Sequence, residues 1–275
     1  MKWTNRRRSS NVEDRRGQSR GGFPVGMAGT GIGGIIISIV IFLLFGQNLS
    51  PAPITTGLSE TRYDELFDYV SVVLADTEDV WSELFEDEGL VYKPPILVVF
   101  EDQVQSACGY QSAAVGPFYC PADQKVYIDL SFYDQLSTQF GVSGDFAMAY
   151  VVAHEVGHHV QTLLGINDQM SEIRNRVSET EYNRYSVAFE LQADYLSGVW
   201  AHHISDQGLL EEGDLDEALN AASAIGDDAI QKQSQGYVVP DSFTHGTSEQ
   251  RKYWFYHGFE MGDLEHGNTF AELIG

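Results

Sequence analysis

Two histidines and a glutamate lie at helical spacing in the segment His154-Glu155-Val156-Gly157-His158. Side chains at positions i and i+4 lie one turn apart on the same face of a helix, so both imidazoles can point at one metal ion. Glu155 follows the first histidine, and its carboxylate can take a proton from a metal-activated water that attacks a carbonyl. The pattern predicts a zinc-dependent hydrolase in which His154 and His158 bind Zn²⁺ and Glu155 is the general base.

A catalytic zinc site needs a third protein ligand beside two histidines. No third histidine follows the motif closely, since the chain after His159 reads VQTLLGINDQ. Further on, Glu190 and Asp194 lie one helical turn apart among apolar residues. Because buried carboxylates need a partner, Glu190 is predicted to be the third zinc ligand. Asp194 is predicted to accept the outer N–H of a ligand histidine, with His154 favoured as that histidine.

Hydrophobic periodicity predicts the elements that must position these residues. Helices are predicted over residues 60–85, 145–164, 179–203, 214–235 and 247–259, and strands over 96–100 and 125–130. Gly165 suits a helix C-cap. Gly157 in mid-helix costs about 1 kcal/mol against alanine, so we expect another element to approach that helix closely. Strands that precede helices along the chain indicate the α+β class.

The N-terminal part differs from the rest in charge and hydropathy. The 275-residue chain has a net charge of −24, yet residues 1–20 hold seven basic and only two acidic side chains. Residues 26–46 are uncharged, and about 20 apolar residues suffice to span a bilayer as a helix. A signal peptide and a retained anchor both fit this segment. The long basic stretch before it, without a small-x-small cleavage pattern after it, favours the anchor.

An anchor divides the chain into a basic cytoplasmic N-terminus (1–25), a transmembrane helix (26–46), a linker (47–59) and an extracytoplasmic domain (60–275). The predicted location is therefore the cell membrane, crossed once. Cys108 and Cys120 are spaced to close a small disulfide loop in an oxidising compartment, two free buried thiols being the alternative. The acidic body would repel a phosphate backbone, which argues against nucleic acid as a partner.

Four separated segments resemble a bacterial family of neutral zinc metallopeptidases. They read HEVGHHVQ, FELQADYLSGVWA, GPFYCPADQKVYIDLSFY and THGTSEQR, and the likeness runs over nearly the whole chain. The helix motif and the later Glu-x-x-x-Asp are also shared with thermolysin-like and membrane prenyl-protease zincins. The resemblance implies a zincin fold, with a small sheet over the active-site helix and a helical C-terminal half that brings the third ligand. It implies peptidase activity on a peptide or protein substrate, which it does not define.

The loop at residues 241–251 is the place to look for a donor to the oxyanion that forms at a scissile carbonyl. His245 is the candidate donor, with a structural histidine as the alternative, and Arg251 is expected to tie the segment to an acidic partner. Tyr119 is a candidate for the cleft wall, where an edge strand would hold an extended peptide.

Two rival functions share these residues. One is a zincin-fold binding or quality-control protein with little turnover, and the other is a hydrolase of a non-peptide amide in the cell envelope. Glu155 argues against the first rival, because a purely structural zinc site needs no general base.

Overall fold

The computed structural model describes residues 1–17 and 60–275. In it, short runs of β-branched residues form the strands, and longer runs with helical apolar periodicity form the helices. Within these ranges the strands are β1 (Val12–Asp14), β2 (Ile96–Phe100), β3 (Gln103–Ser106), β4 (Gly109–Ser112), β5 (Phe118–Cys120) and β6 (Lys125–Asp129). The helices are α1 (Glu60–Asp87), α2 (Phe132–Thr138), α3 (Phe146–Leu163), α4 (Ile166–Arg174), α5 (Glu179–Asp206), α6 (Asp214–Ala224), α7 (Asp227–Gln235), α8 (Ser248–Met261) and α9 (Thr269–Leu273). The predicted α+β class is confirmed.

A four-stranded sheet with the order β1-β2-β6-β5 lies beside the helices. Strands β1, β2 and β6 run parallel, and β5 pairs antiparallel with β6, while β3 and β4 form a separate hairpin. Side chains alternate between the two faces of a strand. Leu97 and Val99 of β2 therefore join the main core, whereas Val98 and Phe100 join a second apolar cluster with Val104 of the hairpin. The sheet is buried on both faces.

Helix α3 carries the histidine motif and lies between the sheet and α5. A Cβ atom added to Gly157 would lie 3.0 Å from the backbone oxygen and 3.3 Å from the Cα atom of Ala193 in α5. A methyl group at this position would require the neighbouring backbone to move by a few tenths of an ångström. The predicted close approach is therefore present, and it brings the segment around Glu190 to the level of the motif.

The predicted helix over residues 214–235 is wrong in one respect, because it is two helices, α6 and α7. The break lies at Gly226, where an added Cβ atom would be 2.4 Å from the backbone nitrogen of Ser248 at the start of α8. Close packing of the chain on a distant segment ends α6. An alanine-rich pattern carries no sign of such a long-range contact.

Two of the predicted helix ends agree with the structure. Gly165 follows α3 with a φ angle of +77°, the left-handed conformation expected of a glycine that ends a helix. At the start of α8, Thr247 forms a capping box with Gln250, in which each side chain accepts a hydrogen bond from the other residue's backbone N–H.

Residues 1–17 belong to the same folded body as residues 60–275. Strand β1 extends the sheet beside β2, with Val12 opposite Leu97, and the side chain of Arg6 donates to Asp76 of α1. The predicted domain boundary at residue 60 misses this segment. These partners lie 70 residues or more away in sequence, so no local pattern reveals them.

The predicted membrane helix at residues 26–46 lies outside the described residues. Within residues 1–17 and 60–275, no helix is both long and apolar enough to cross a membrane. The predicted disulfide between Cys108 and Cys120 is present, and it ties the hairpin to the end of β5.

Candidate functional site

His154 and His158 project from α3 toward Glu190 of α5. The Nε2 atoms of His154 and His158 lie 3.3 Å and 3.6 Å from Glu190 Oε2. One donor atom from each of the three residues lies within 4.8 Å of the other two, and all three side chains are buried. The structure thus brings the three predicted ligands together, two from one helix turn and the third across the close contact at Gly157.

Unpaired buried atoms test whether a metal ion fits this group. Among the described residues, His158 Nε2, Glu190 Oε1 and Glu155 Oε2 are buried and make no hydrogen bond. Each unpaired buried polar atom costs about 1–3 kcal/mol, so three such atoms in one place require an explanation. A cation held by two imidazoles and a carboxylate supplies the missing partner, and this donor set suits zinc. The residues therefore fit the predicted ion.

Asp194 contacts His154, the ligand histidine that was predicted as its partner. Asp194 Oδ1 lies 2.8 Å from His154 Nδ1, and the same carboxylate accepts from Arg251 Nε at 2.8 Å and from the Tyr150 hydroxyl at 2.5 Å. Burial favours the neutral acid, but the charges of Arg251 and His154 outweigh it and lower the pKa of Asp194 to about 2. An ionised Asp194 keeps the proton on His154 Nδ1, which leaves Nε2 to face Glu190.

A second positioning contact was not predicted. His158 Nδ1 lies 2.8 Å from the side-chain oxygen of Gln161, whose amide nitrogen donates to the backbone oxygen of Phe189 at 2.7 Å. Gln161 follows His158 by three residues on the same helix face. That spacing is the sequence feature from which the contact could have been predicted. Gln161 orients His158 much as Asp194 orients His154.

Glu155 is buried beside the ligands and borders a cleft of about 550 Å³, part of which is open to solvent. Burial raises the pKa of Glu155, although nearby His158 and His154 act in the opposite direction. A raised pKa suits a general base, which works best when its pKa lies near the working pH. The rest of the cleft wall is mostly apolar and includes Val115, Pro117, Phe132, Val151, Ile225 and Ile230.

His245 also borders this cleft, and Asp227 holds it there. Asp227 Oδ1 lies 3.1 Å from His245 Nδ1, and Asp227 Oδ2 accepts from the backbone N–H groups of Thr244, His245 and Gly246 at 2.7, 2.7 and 3.1 Å. Burial lowers the pKa of His245, but the charge of Asp227 outweighs it and raises that pKa. Asp227 was not predicted, because it belongs to the start of α7 and reaches this loop only through the fold.

The prediction that Tyr119 lines the cleft is not met. Its side chain is buried in the main core, and its hydroxyl lies 3.0 Å from His159 Nδ1. Phe118 and Cys120 face the second cluster instead, so the alternation along β5 directs Tyr119 to the opposite face. The residues of this region that border the cleft are Val115, Gly116 and Pro117, just before the strand.

Comparison with known proteins agrees with the resemblance. The chain matches the family model described as "Putative neutral zinc metallopeptidase" over residues 1–270. It is 50% identical over 288 aligned positions to "Uncharacterized protein YpfJ" of Escherichia coli (strain K12), with 100% of both chains covered. It is 41% identical over 203 positions to "Uncharacterized protein Mb2605" of Mycobacterium bovis, which covers 70% of this chain and 66% of that relative.

No solved structure gives a significant match to the chain. The family assignment therefore stands on the sequence match, which covers nearly the whole chain and includes the buried His154, His158 and Glu190. The chain belongs to the family of neutral zinc metallopeptidases.

Proposed function

We propose that this protein is a zinc-dependent peptidase that hydrolyses peptide bonds, with Glu155 as its general base. One observation carries the proposal. A buried group of two histidines and a glutamate, suited to zinc, lies beside an unpaired glutamate carboxylate at the wall of a cleft. A structural zinc site closes its coordination with four protein ligands and has no use for a fifth, unpaired acid.

Each residue has a defined task in this mechanism. Zinc held by His154, His158 and Glu190 would supply a Lewis acid that lowers the pKa of a water and polarises the scissile carbonyl. Glu155 takes the proton of the attacking water and delivers it to the leaving amine. His245, held by Asp227, donates a hydrogen bond to the oxyanion that forms at the carbonyl.

The compartment and the membrane attachment remain predictions. The Cys108–Cys120 disulfide supports an oxidising compartment outside the cytoplasm. Anchoring to the cell membrane would depend on residues 26–46, which lie outside the described residues.

Metal removal and restoration test the proposed function on the full chain, since residues 1–17 are part of the fold. We expect about one zinc per chain, loss of casein or peptide cleavage after chelation, and recovery when zinc is returned. Burial lowers the pKa of His154, but Asp194 and Glu190 outweigh it and raise that pKa to about 9 in the metal-free protein. Zinc must displace this proton, so its apparent affinity should weaken as the pH falls below about 9.

Three results would contradict the proposal. A folded chain without zinc would remove its basis, and zinc-loaded protein that cleaves only non-peptide amides would favour the envelope-amide alternative. Zinc-loaded protein inactive on both substrate classes would favour a binding role.

His245→Ala should lower kcat by about 10²–10³-fold, the usual effect of losing one oxyanion donor, with a smaller change in KM. With Nδ1 hydrogen-bonded to Asp227, the neutral ring has no proton on Nε2 and cannot donate to an oxyanion. Wild-type kcat should therefore decline as the pH rises through the raised pKa of His245. Initial rates across the pH range, measured for both proteins, check this, and the variant should lack that decline.

A further inference from the structure

Residues 1–17 lie against α1 and β2 through contacts along their whole length. The aromatic ring of Trp3 packs edge-on against Tyr69, with ring centroids 5.5 Å apart. The backbone N–H of Ser9 donates to the backbone oxygen of Ser71 at 2.9 Å. Beyond it, β1 adds three residues to the edge of the sheet in register with β2. These contacts join the segment to both layers of the fold.

The charges of the two parts complement each other. Arg6 Nη1 donates to Asp76 Oδ2 at 2.6 Å, and Arg7 Nη1 donates to Glu78 Oε2 at 2.8 Å. The carboxylate side chains of Asp76 and Glu78 are only 4% and 9% exposed. Buried charges are tolerated only when they are paired. In the folded chain the N-terminal arginines supply the partners of Asp76 and Glu78.

We infer that residues 1–17 are an integral part of the peptidase domain and occupy the same compartment as its active site. The single membrane crossing predicted from residues 26–46 would place the two parts on opposite sides and make every contact above impossible. Arg6, Arg7 and Arg8 thus act as ion-pair partners of α1, and their charge is not a guide to the side of the membrane on which they lie. This inference does not depend on the proposed catalytic activity.

Cysteine labelling in cells that produce the full chain tests the shared compartment. Ser10 is exposed in the N-terminal segment and Ser171 is exposed in α4, and the two native cysteines are joined in a disulfide. Ser10→Cys and Ser171→Cys therefore each supply a single reactive thiol. A membrane-impermeant maleimide should label both variants in intact cells, or both only after permeabilisation. Labelling of one variant in intact cells and of the other only after permeabilisation would overturn the inference.

Thermal unfolding tests the packing itself with a matched pair of variants. Arg6→Met leaves the buried Asp76 unpaired, whereas Arg8→Met removes a partner of Asp68, whose side chain is 33% exposed. We expect the first change to lower Tm by about 5–10 °C and the second by about 2 °C or less. Equal small shifts in both variants would mean that the segment does not pack on the body, which also refutes the inference.

Discussion

Replacement of Glu155 by glutamine is expected to reduce peptide cleavage by about 10²–10⁴-fold while zinc content stays at the wild-type level. Glutamine keeps the size of the side chain but cannot accept a proton from water. The carboxylate does not belong to the buried ligand group, and its Oε2 atom has no hydrogen-bond partner among the described residues. The change should therefore remove the base without disturbing the ligands. Steady-state cleavage and metal content of the same preparation are the two measurements.

Glu190→Gln provides the matched control, because it makes the same chemical change at the predicted third ligand. Its Oε2 atom lies within 3.6 Å of both histidine Nε2 atoms, so the variant should lose zinc together with activity. The two variants would then be equally inactive but differ in metal content. Wild-type activity in Glu155→Gln would remove that residue from the mechanism, and full zinc content in Glu190→Gln would remove Glu190 from the ligand set.

Helical periodicity alone accounts for most of the ligand group. His154, His158, Glu190 and Asp194 occur as two pairs at i, i+4, and each pair lies on one face of a continuous helix. Gly157 adds the contact between the two helices, since its penalty in mid-helix is offset only where another backbone approaches. Local spacing therefore predicted which side chains share a face of each helix, because the geometry inside a helix is fixed.

Contacts between distant segments account for the features that the sequence did not predict. Asp227 positions His245 from 18 residues away, with the rest of α7 and the following loop between them. The break at Gly226 and the burial of Tyr119 depend likewise on packing against another element. In each case the local sequence fits more than one outcome, and the tertiary contact decides which of them forms.

The charged residues of the N-terminal segment are another case in which the sequence alone did not predict the contacts. A cluster of arginines before an apolar stretch is typical of a cytoplasmic flank. In the folded protein, Arg6, Arg7 and Arg8 are instead paired with carboxylates of α1. The sequence contains both halves of these pairs, but only the fold reveals that they meet.

Arg251→Met should destabilise the protein by about 3–5 kcal/mol, because it leaves the buried Asp194 carboxylate without its cation. Arg251 donates to both oxygens of Asp194, at 2.8 and 2.9 Å, and both side chains are almost fully buried. Methionine keeps the apolar part of the arginine but none of its charge. Urea unfolding with saturating zinc, and again with a chelator, measures the effect and separates it from a loss of metal affinity.

Arg176→Met is the control for this change, because Arg176 pairs with Glu172 at the surface, where both side chains are more than two-thirds exposed. Its effect should stay within about 0.5 kcal/mol. The pH dependence gives a second check on Arg251. Because the folded pKa of Asp194 is about 2, and an unfolded aspartate has a pKa near 3.9, the stabilisation is present above about pH 4 and is lost as the pH falls toward 2.

In Arg251→Met the pKa of Asp194 should rise, since the cation that lowers it is gone. The variant can then take up a proton at Asp194 and relieve the buried charge, so its deficit against wild type should narrow as the pH is lowered from 7 toward 4. Addition of Asp194→Asn to Arg251→Met should recover part of the lost stability for the same reason. A deficit that is independent of pH and unchanged in the double variant would mean that Arg251 contributes through packing alone, and that the charge of Asp194 is balanced by His154.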